Sequence, residues 1–347
     1  MFRRMLSQTA PQPETAPRMI LMNWIGRIII TAAACALVLS TSTAHARNLT
    51  TGAHATLLAA GLDETIGSTI GPDGALYVAQ DRLGSIARVD PRTGAITTFA
   101  SGLPKQLSVL GLGGVMDVAF IGKTAYALVT LVGPDWGGHD VNGIYRVDGP
   151  STFTVVADIG TFNEQNPPTI PFDIDTPSGV QFAMQPYHDG FIVTDGHLNR
   201  VLQVTLDGAI TVLHSFGDVV PTGLAVRGNT VYMCEAGPIP HNPQDGKVLS
   251  FEAKSPAVTL VAAGAPLLVD VEVGTGGSLY ALSQGQGSGD PAGSPAVPNT
   301  GSLVRANSDG TFTTVSGPLD RPTSLEFIGP TAYVVTLTGQ VWKIDTH

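Results

Sequence analysis

Four side chains stand in a spacing that could do chemistry together. Asp195 and His197 share the stretch Thr194-Asp-Gly-His-Leu-Asn199, and Glu235 and His241 follow about forty residues on, just past another apolar run. Two carboxylates suit a hard divalent cation, calcium or similar, with Asp195 and Glu235 as its ligands. With the two imidazoles they also make a general acid–base set, one group taking a proton and another returning it. The plainer alternative is that His197 and His241 are solvated loop histidines, while Asp195 and Glu235 cap turns or hold neighbouring strands. Other polar groups gather in four long connections. Residues 131–143 carry Asp135, Trp136, His139 and Asp140; residues 161–177 carry Asn163, Glu164, Asn166, Asp173 and Asp175; residues 235–246 add Asn242 and Asp245. Trp136, in a Gly-rich loop, could stack on a ligand.

Several chemistries lack their residues. No G-x-S-x-G elbow presents a nucleophilic serine, and no Cys/His spacing suits zinc. Cys234 reads as packed beside its strand. Gly71-Pro-Asp-Gly74 and Gly276-Gly277 are hairpin turns, because no helix follows them to form a phosphate loop.

The elements that must position these groups repeat. A short apolar strand, a tight Gly turn and an aromatic opening a second strand recur as STIGPDGALYVA from Ser68, MDVAFIGKTAYALV from Met116, SGVQFAMQPYHDGFIVTD from Ser178, TGLAVRGNTVYMCE from Thr222, VDVEVGTGGSLYALS from Val269 and TSLEFIGPTAYVVT from Thr323. The aromatics are Tyr77, Tyr126, Phe191, Tyr232, Tyr280 and Tyr333. Third strands are predicted at 85–90, 143–148, 201–206, 248–252, 303–308 and 341–345, and fourth strands at 96–103, 153–160, 210–217, 258–264 and 312–318. Val, Ile, Thr and aromatics bounded by Gly, Pro, Asp and Asn carry that reading. No stretch sustains a helical period, and 41 Gly with 25 Pro punctuate an all-β chain. Units of four strands at this period predict a β-propeller of six blades.

The sixth unit ends after its third strand. Its missing partner is ATLLAAGL at Ala55–Leu62, which matches VTLVAAG at Val258–Gly264 almost residue for residue. An N-terminal strand that completes the last blade closes the ring without leaving a free edge. Residues 47–347 therefore read as one six-bladed domain. First strands of a propeller begin at the rim of the central channel, which puts Asp117, Ser178, Thr222, Asp270 and Thr323 at its mouth. Links between first and second strands, and between third and fourth, are tight. The long connections 131–143, 161–177, 235–246 and 284–301 join second to third strands or one blade to the next, so all belong to one face. Insertions gathered on one face of a repeat scaffold mark a binding face.

Residues 1–46 differ from the rest. Arg3, Arg4, Arg18 and Arg27 precede an apolar run from Ile28 to Leu39, and Ala44-His45-Ala46 closes the segment. This is the pattern of a secretory signal peptide, with a run too short for a permanent membrane anchor, so a secreted or periplasmic protein is expected. Cleavage there would remove four of 18 basic residues and one of 28 acidic ones, taking the formal charge from −10 to −13. Such a surface argues against nucleic acid and anionic lipid as partners. Only Cys234 would remain, so no internal disulfide is expected. The expected protein is a monomer that takes a small molecule or a partner protein on its long-loop face.

The phrases GPDGALYVAQ, DVAF, PTGLAV, VTDGHLNRVLQV and GSLYALS resemble the ScyD/ScyE-type proteins, secreted propellers related to the NHL and SMP-30/gluconolactonase group. The resemblance runs from about Thr56 to Asp345 and implies the six-bladed fold. It brings with it the alternative of an SMP-30- or strictosidine-synthase-like hydrolase or lyase, with a divalent cation at the channel mouth. The motif of the lactonases is changed here. The first-blade phrase GSTIGPDG offers no Glu, and Pro221-Thr222-Gly223-Leu224 has Thr where those enzymes place Asn; Asp195 stands as the remnant. The lyase pattern of His near strand starts is absent.

Overall fold

A computed structural model describes residues 55–346, except 109–110, 170–175, 240, 243–244, 256 and 290–292. The expected signal segment, Asp173 and Asp175 lie outside the described residues. Six antiparallel four-stranded sheets form a ring. Blades 1 to 5 occupy residues 65–101, 114–158, 181–215, 221–263 and 268–319, each in simple up-and-down order. Blade 6 takes Pro322–Ile328, Thr331–Thr336 and Gln340–Asp345 from the end of the chain, and Ala55–Ala60 pairs antiparallel with the last of these. Its register sets Ala55 opposite Ile344 and Ala60 opposite Gln340, with Ala59 buried and Leu57 facing out. The closing strand predicted from ATLLAAGL is therefore the outer strand of blade 6.

The recurring aromatic has a packing role. Tyr77 of blade 1 meets Phe120 of blade 2 edge-on at 4.8 Å, and Tyr126 of blade 2 meets Phe191 of blade 3 at 4.9 Å. Tyr280 of blade 5 meets Phe327 of blade 6 at 5.0 Å. Each ring fills the wedge between twisted neighbouring sheets, where large rigid side chains bury most area. The Gly turn ahead of it is equally local in cause: Gly74 and Gly122 have φ of 75° and 60°, a region open to glycine without steric cost.

Hairpin links between strands 1 and 2, and 3 and 4, lie at one end. The long connections lie at the other, as their positions in the antiparallel order require. A further long link, residues 102–113 between blades 1 and 2, joins them at that end. The fourth strand of blade 2 stops at Asp158 rather than at 160, and a helix follows at Ile159–Gln165. The Asp158 carboxylate caps it, accepting from Thr161 N at 2.9 Å and Thr161 Oγ1 at 2.8 Å. Two turns are too short to leave a helical period in the sequence. Among the described residues no helix is long and apolar enough to cross a membrane.

Candidate functional site

First strands line the central channel, and their alternation decides what it holds. In blade 5 Val269, Val271 and Val273 alternate with Asp270 and Glu272. Asp270 Oδ1 accepts from Val271 N at 2.9 Å and Oδ2 from Leu325 N of blade 6 at 2.7 Å. Asp117 does the same between blades 2 and 3, accepting from Val118 N and Met184 N at 2.8 Å each. Between blades 6 and 1 the brace is a serine: Ser324 Oγ accepts from Ser68 N at 3.0 Å. Glycine stands beside both aspartates because nothing larger fits. A Cβ on Gly67 would fall 2.2 Å from Asp117 Oδ1, and one on Gly223 would fall 2.4 Å from Asp270 Cα.

Glu272 and Glu326 share the channel with Asp117 and Asp270. Burial drives all four carboxyls upward, Asp270 to about 7 and the other three well above the carboxylate range, and repulsion from neighbouring acids adds to the shift of Asp117, Glu272 and Glu326. Burial thus biases the channel acids toward their protonated forms. The sequence reading placed Asp117 and Asp270 here but missed the two glutamates. Acids at alternate positions of an otherwise apolar first strand were the available signal.

Above this layer Ile66, Phe182, Val269 and Thr323 form a partition. Below it lies a void of about 20 Å³ bordered by Asp117, Asp270 and Glu326. Above it, at the long-loop end, opens a cavity of about 100 Å³. Val180, Val220, Leu267 and Leu337 supply apolar wall, and His197 and His241 supply imidazoles from adjacent blades. Burial lowers His197 to about 4, with the neighbouring His241 imidazole adding to the shift. His241 is also lowered by burial. Both are neutral at pH 7. His241 Nδ1 lies 2.7 Å from the carbonyl of Gly237. A carbonyl only accepts, so Nδ1 carries the proton and Nε2 is left as an acceptor.

Asp195 and Glu235, the other half of the predicted constellation, are not among the lining residues. Each closes the second strand of its blade and pairs with the cation opening the third, Asp195 opposite Arg200 and Glu235 opposite Lys247. Asp195 is fully buried, with Arg200 Nε at 3.5 Å. Asn163 Nδ2 donates to it at 2.7 Å and Val180 N at 3.1 Å. Arg200 in turn donates to Asn163 Oδ1 and to the carbonyl of Asn166. Burial still raises the Asp195 carboxyl to about 6, against the pull of Arg200. Glu235 accepts from Lys247 Nζ at 2.8 Å, and burial raises it too. Each carboxylate is thus paired with a cation on the neighbouring strand of its own blade. Among the described residues no three His, Cys, Asp or Glu side chains are arranged to hold a metal ion.

The remaining predicted residues divide. Thr222 and Thr323 line the cavity. Thr222 Oγ1 donates to the carbonyl of Leu268 at 2.8 Å, and Thr323 Oγ1 to that of Val335 at 3.4 Å. Ser178 lies outside it, donating to Asp135 Oδ2 at 2.6 Å and so tying two long connections together. Trp136 is half-buried, His139 and Asp140 are exposed, and none of them lines the cavity. Cys234 is buried against Thr222, its thiol pushed up by burial.

No family model matches the chain, and no curated protein matches it. Solved structures do. A gluconolactonase from Xanthomonas campestris superposes with a TM-score of 0.57 at 11% identity, over 84% of this chain and 89% of that one. Virginiamycin B lyase from Staphylococcus aureus gives 0.52 at 13% identity, over 84% and 98%. A PQQ-bound aldose sugar dehydrogenase from Streptomyces coelicolor gives 0.54 at 15%, again over 84% and 98%. Three different chemistries on one scaffold, all at low identity, are a likeness of fold: the chain is a six-bladed propeller of the kind that gluconolactonases and lyases share.

Proposed function

We propose that this protein is an exported propeller that binds a small molecule in the cavity at its long-loop end. One observation carries the reading: an apolar well whose polar groups converge from adjacent blades, while the nearby carboxylates are engaged with cations of their own blades. Ligand sites of this kind are mostly apolar and keep a few placed polar groups for orientation. The motifs quoted above support placing the chain with the ScyD/ScyE-type propellers, and the pattern of residues 1–46 supports export.

The lactonase and lyase neighbours favour a second reading, acid–base turnover of the bound molecule with His197 as base and His241 assisting. Against it, proton abstraction at neutral pH calls for a base near 7, and His197 sits at about 4. Binding therefore leads. A ligand-observed NMR screen of small uncharged organic compounds tests it, using the wild type and Ala236→Phe, which places a ring in the cavity. Compounds that bind the first and not the second support the reading; a screen with no such compound contradicts it.

A further inference from the structure

Building on the reading of this cavity as a binding site, we infer that its ligand is an uncharged molecule about one ring in size, carrying a hydroxyl or N–H group that donates to the wall. Size comes first. The cavity measures about 100 Å³ and opens toward the loops. An enclosed apolar cavity of about 150 Å³ holds benzene, so the well takes a single ring seated partly in the mouth.

Charge is decided by what surrounds the well. Among the described lining residues there is no Lys, Arg, Asp or Glu. Among the described residues a cation in the well would have no carboxylate against it: Asp195 and Glu235 are paired with Arg200 and Lys247, and Asp218, whose charge reaches His241, is exposed and outside the lining. The acids Asp117, Asp270 and Glu326 lie beyond the partition of Ile66, Phe182 and Val269. An anion fares worse, because any ionisation of that acid layer repels it and among the described lining residues no Lys or Arg attracts it. Burying an unpaired charge is costly enough to exclude both.

The hydrogen-bonding sense follows from protons already committed. His241 gives its Nδ1 proton to Gly237, Thr222 gives its hydroxyl proton to Leu268, and Thr323 gives its own to Val335. Three oriented side chains thus offer only acceptors to the cavity. Donors stand elsewhere on the wall: Gln284 Oε1 accepts from Ala296 N, which leaves its NH2 to donate, and the neutral His197 imidazole and the Ser294 hydroxyl can donate as well. A ring hydroxyl, able to donate and accept, meets both conditions.

Four rings of one size test this at pH 7 by calorimetric titration: p-cresol, toluene, benzoate and benzylamine, the last as its ammonium ion. We expect p-cresol to bind most tightly, toluene about tenfold more weakly for want of the hydrogen bond, and both ions about 100-fold more weakly. Ala236→Phe should abolish binding of p-cresol; if that variant does not fold, Val269→Phe on the cavity floor replaces it. Binding of benzoate or benzylammonium as tight as that of p-cresol, lost in the filled variant, would overturn the charge inference and leave the binding reading standing. Toluene equal to p-cresol would overturn the donor inference. No binding by any ring, or binding indifferent to the filled cavity, would overturn the binding reading itself.

Discussion

Raising the pH from 6.5 to 8 should loosen the ring. Burial lifts Asp270 from 3.8 to about 7 and Asp81, a fully buried residue after the second strand of blade 1, to about 8. Asp117, Glu272 and Glu326 are raised as well. The unfolded chain releases these protons near pH 4, whereas the folded chain keeps each until its raised value is passed. Over that interval the folded state binds more protons, so stability falls as pH rises. The histidines pull the other way, mainly in acid. His197, His214 and His241 are lowered by burial, so their effect fades as the unfolded imidazole becomes neutral, above about 6.5. At pH 6.5 the unfolded imidazoles are still about half protonated, so between 6.5 and 8 the three histidines return about 1 kcal/mol against the loss from the carboxyls. Each carboxyl proton retained across this window corresponds to about 2 kcal/mol. Asp81 together with one channel proton gives about 4 kcal/mol, from which the histidines take back about 1, and for a domain of this size the net lowers Tm by about 6 °C. Thermal melts followed by circular dichroism at the two pH values and matched ionic strength measure this. Asp81→Asn should reduce the difference by about two thirds. A Tm that is equal or higher at pH 8 would refute the reasoning.

Other perturbations probe the struts of the ring. Arg200→Leu strands the buried Asp195 without its cation and should cost about 3–5 kcal/mol by denaturant unfolding. Lys247→Ala should cost less, because Lys247 is 38% exposed and water can replace it at Glu235. Gly223→Ala drives a methyl into the backbone at Asp270 and should destabilise by about 1–3 kcal/mol, while Gly217→Ala, with open space around it, should be near neutral. Deleting residues 53–61 removes the strand that pairs with Gln340–Asp345 and exposes the edge of blade 6. A marked loss of cooperativity in melting is expected, and an unchanged melt would argue against closure by that strand.

The ring itself was readable because its cause is local and repeated. An apolar strand, a positive-φ turn residue (glycine in every blade but the third, where His188 takes the place) and an aromatic recur where each blade needs them, and ATLLAAGL resembles the fourth strands it stands in for. The gathering of long loops at one end followed from strand parity alone. The site was less readable because its meaning depends on which face of a strand meets the channel. Asp195 and Glu235 stand opposite Arg200 and Lys247, a pairing that the cation opening each third strand makes legible only once the strand register is known. Glu272 and Glu326 went unnoticed because Gly turns, not the strands, dominate the repeat. His197 and His241 were singled out as side chains, but the neutrality that shapes the cavity comes from tertiary burial.

The most direct test of the cavity as a binding site is a crystal structure of the protein grown with p-cresol at pH 7. The account predicts ring density above Phe182, between the imidazoles of His197 and His241, with the hydroxyl turned toward His241. A ring bound elsewhere on the molecule, with this cavity filled by ordered water alone, would contradict it.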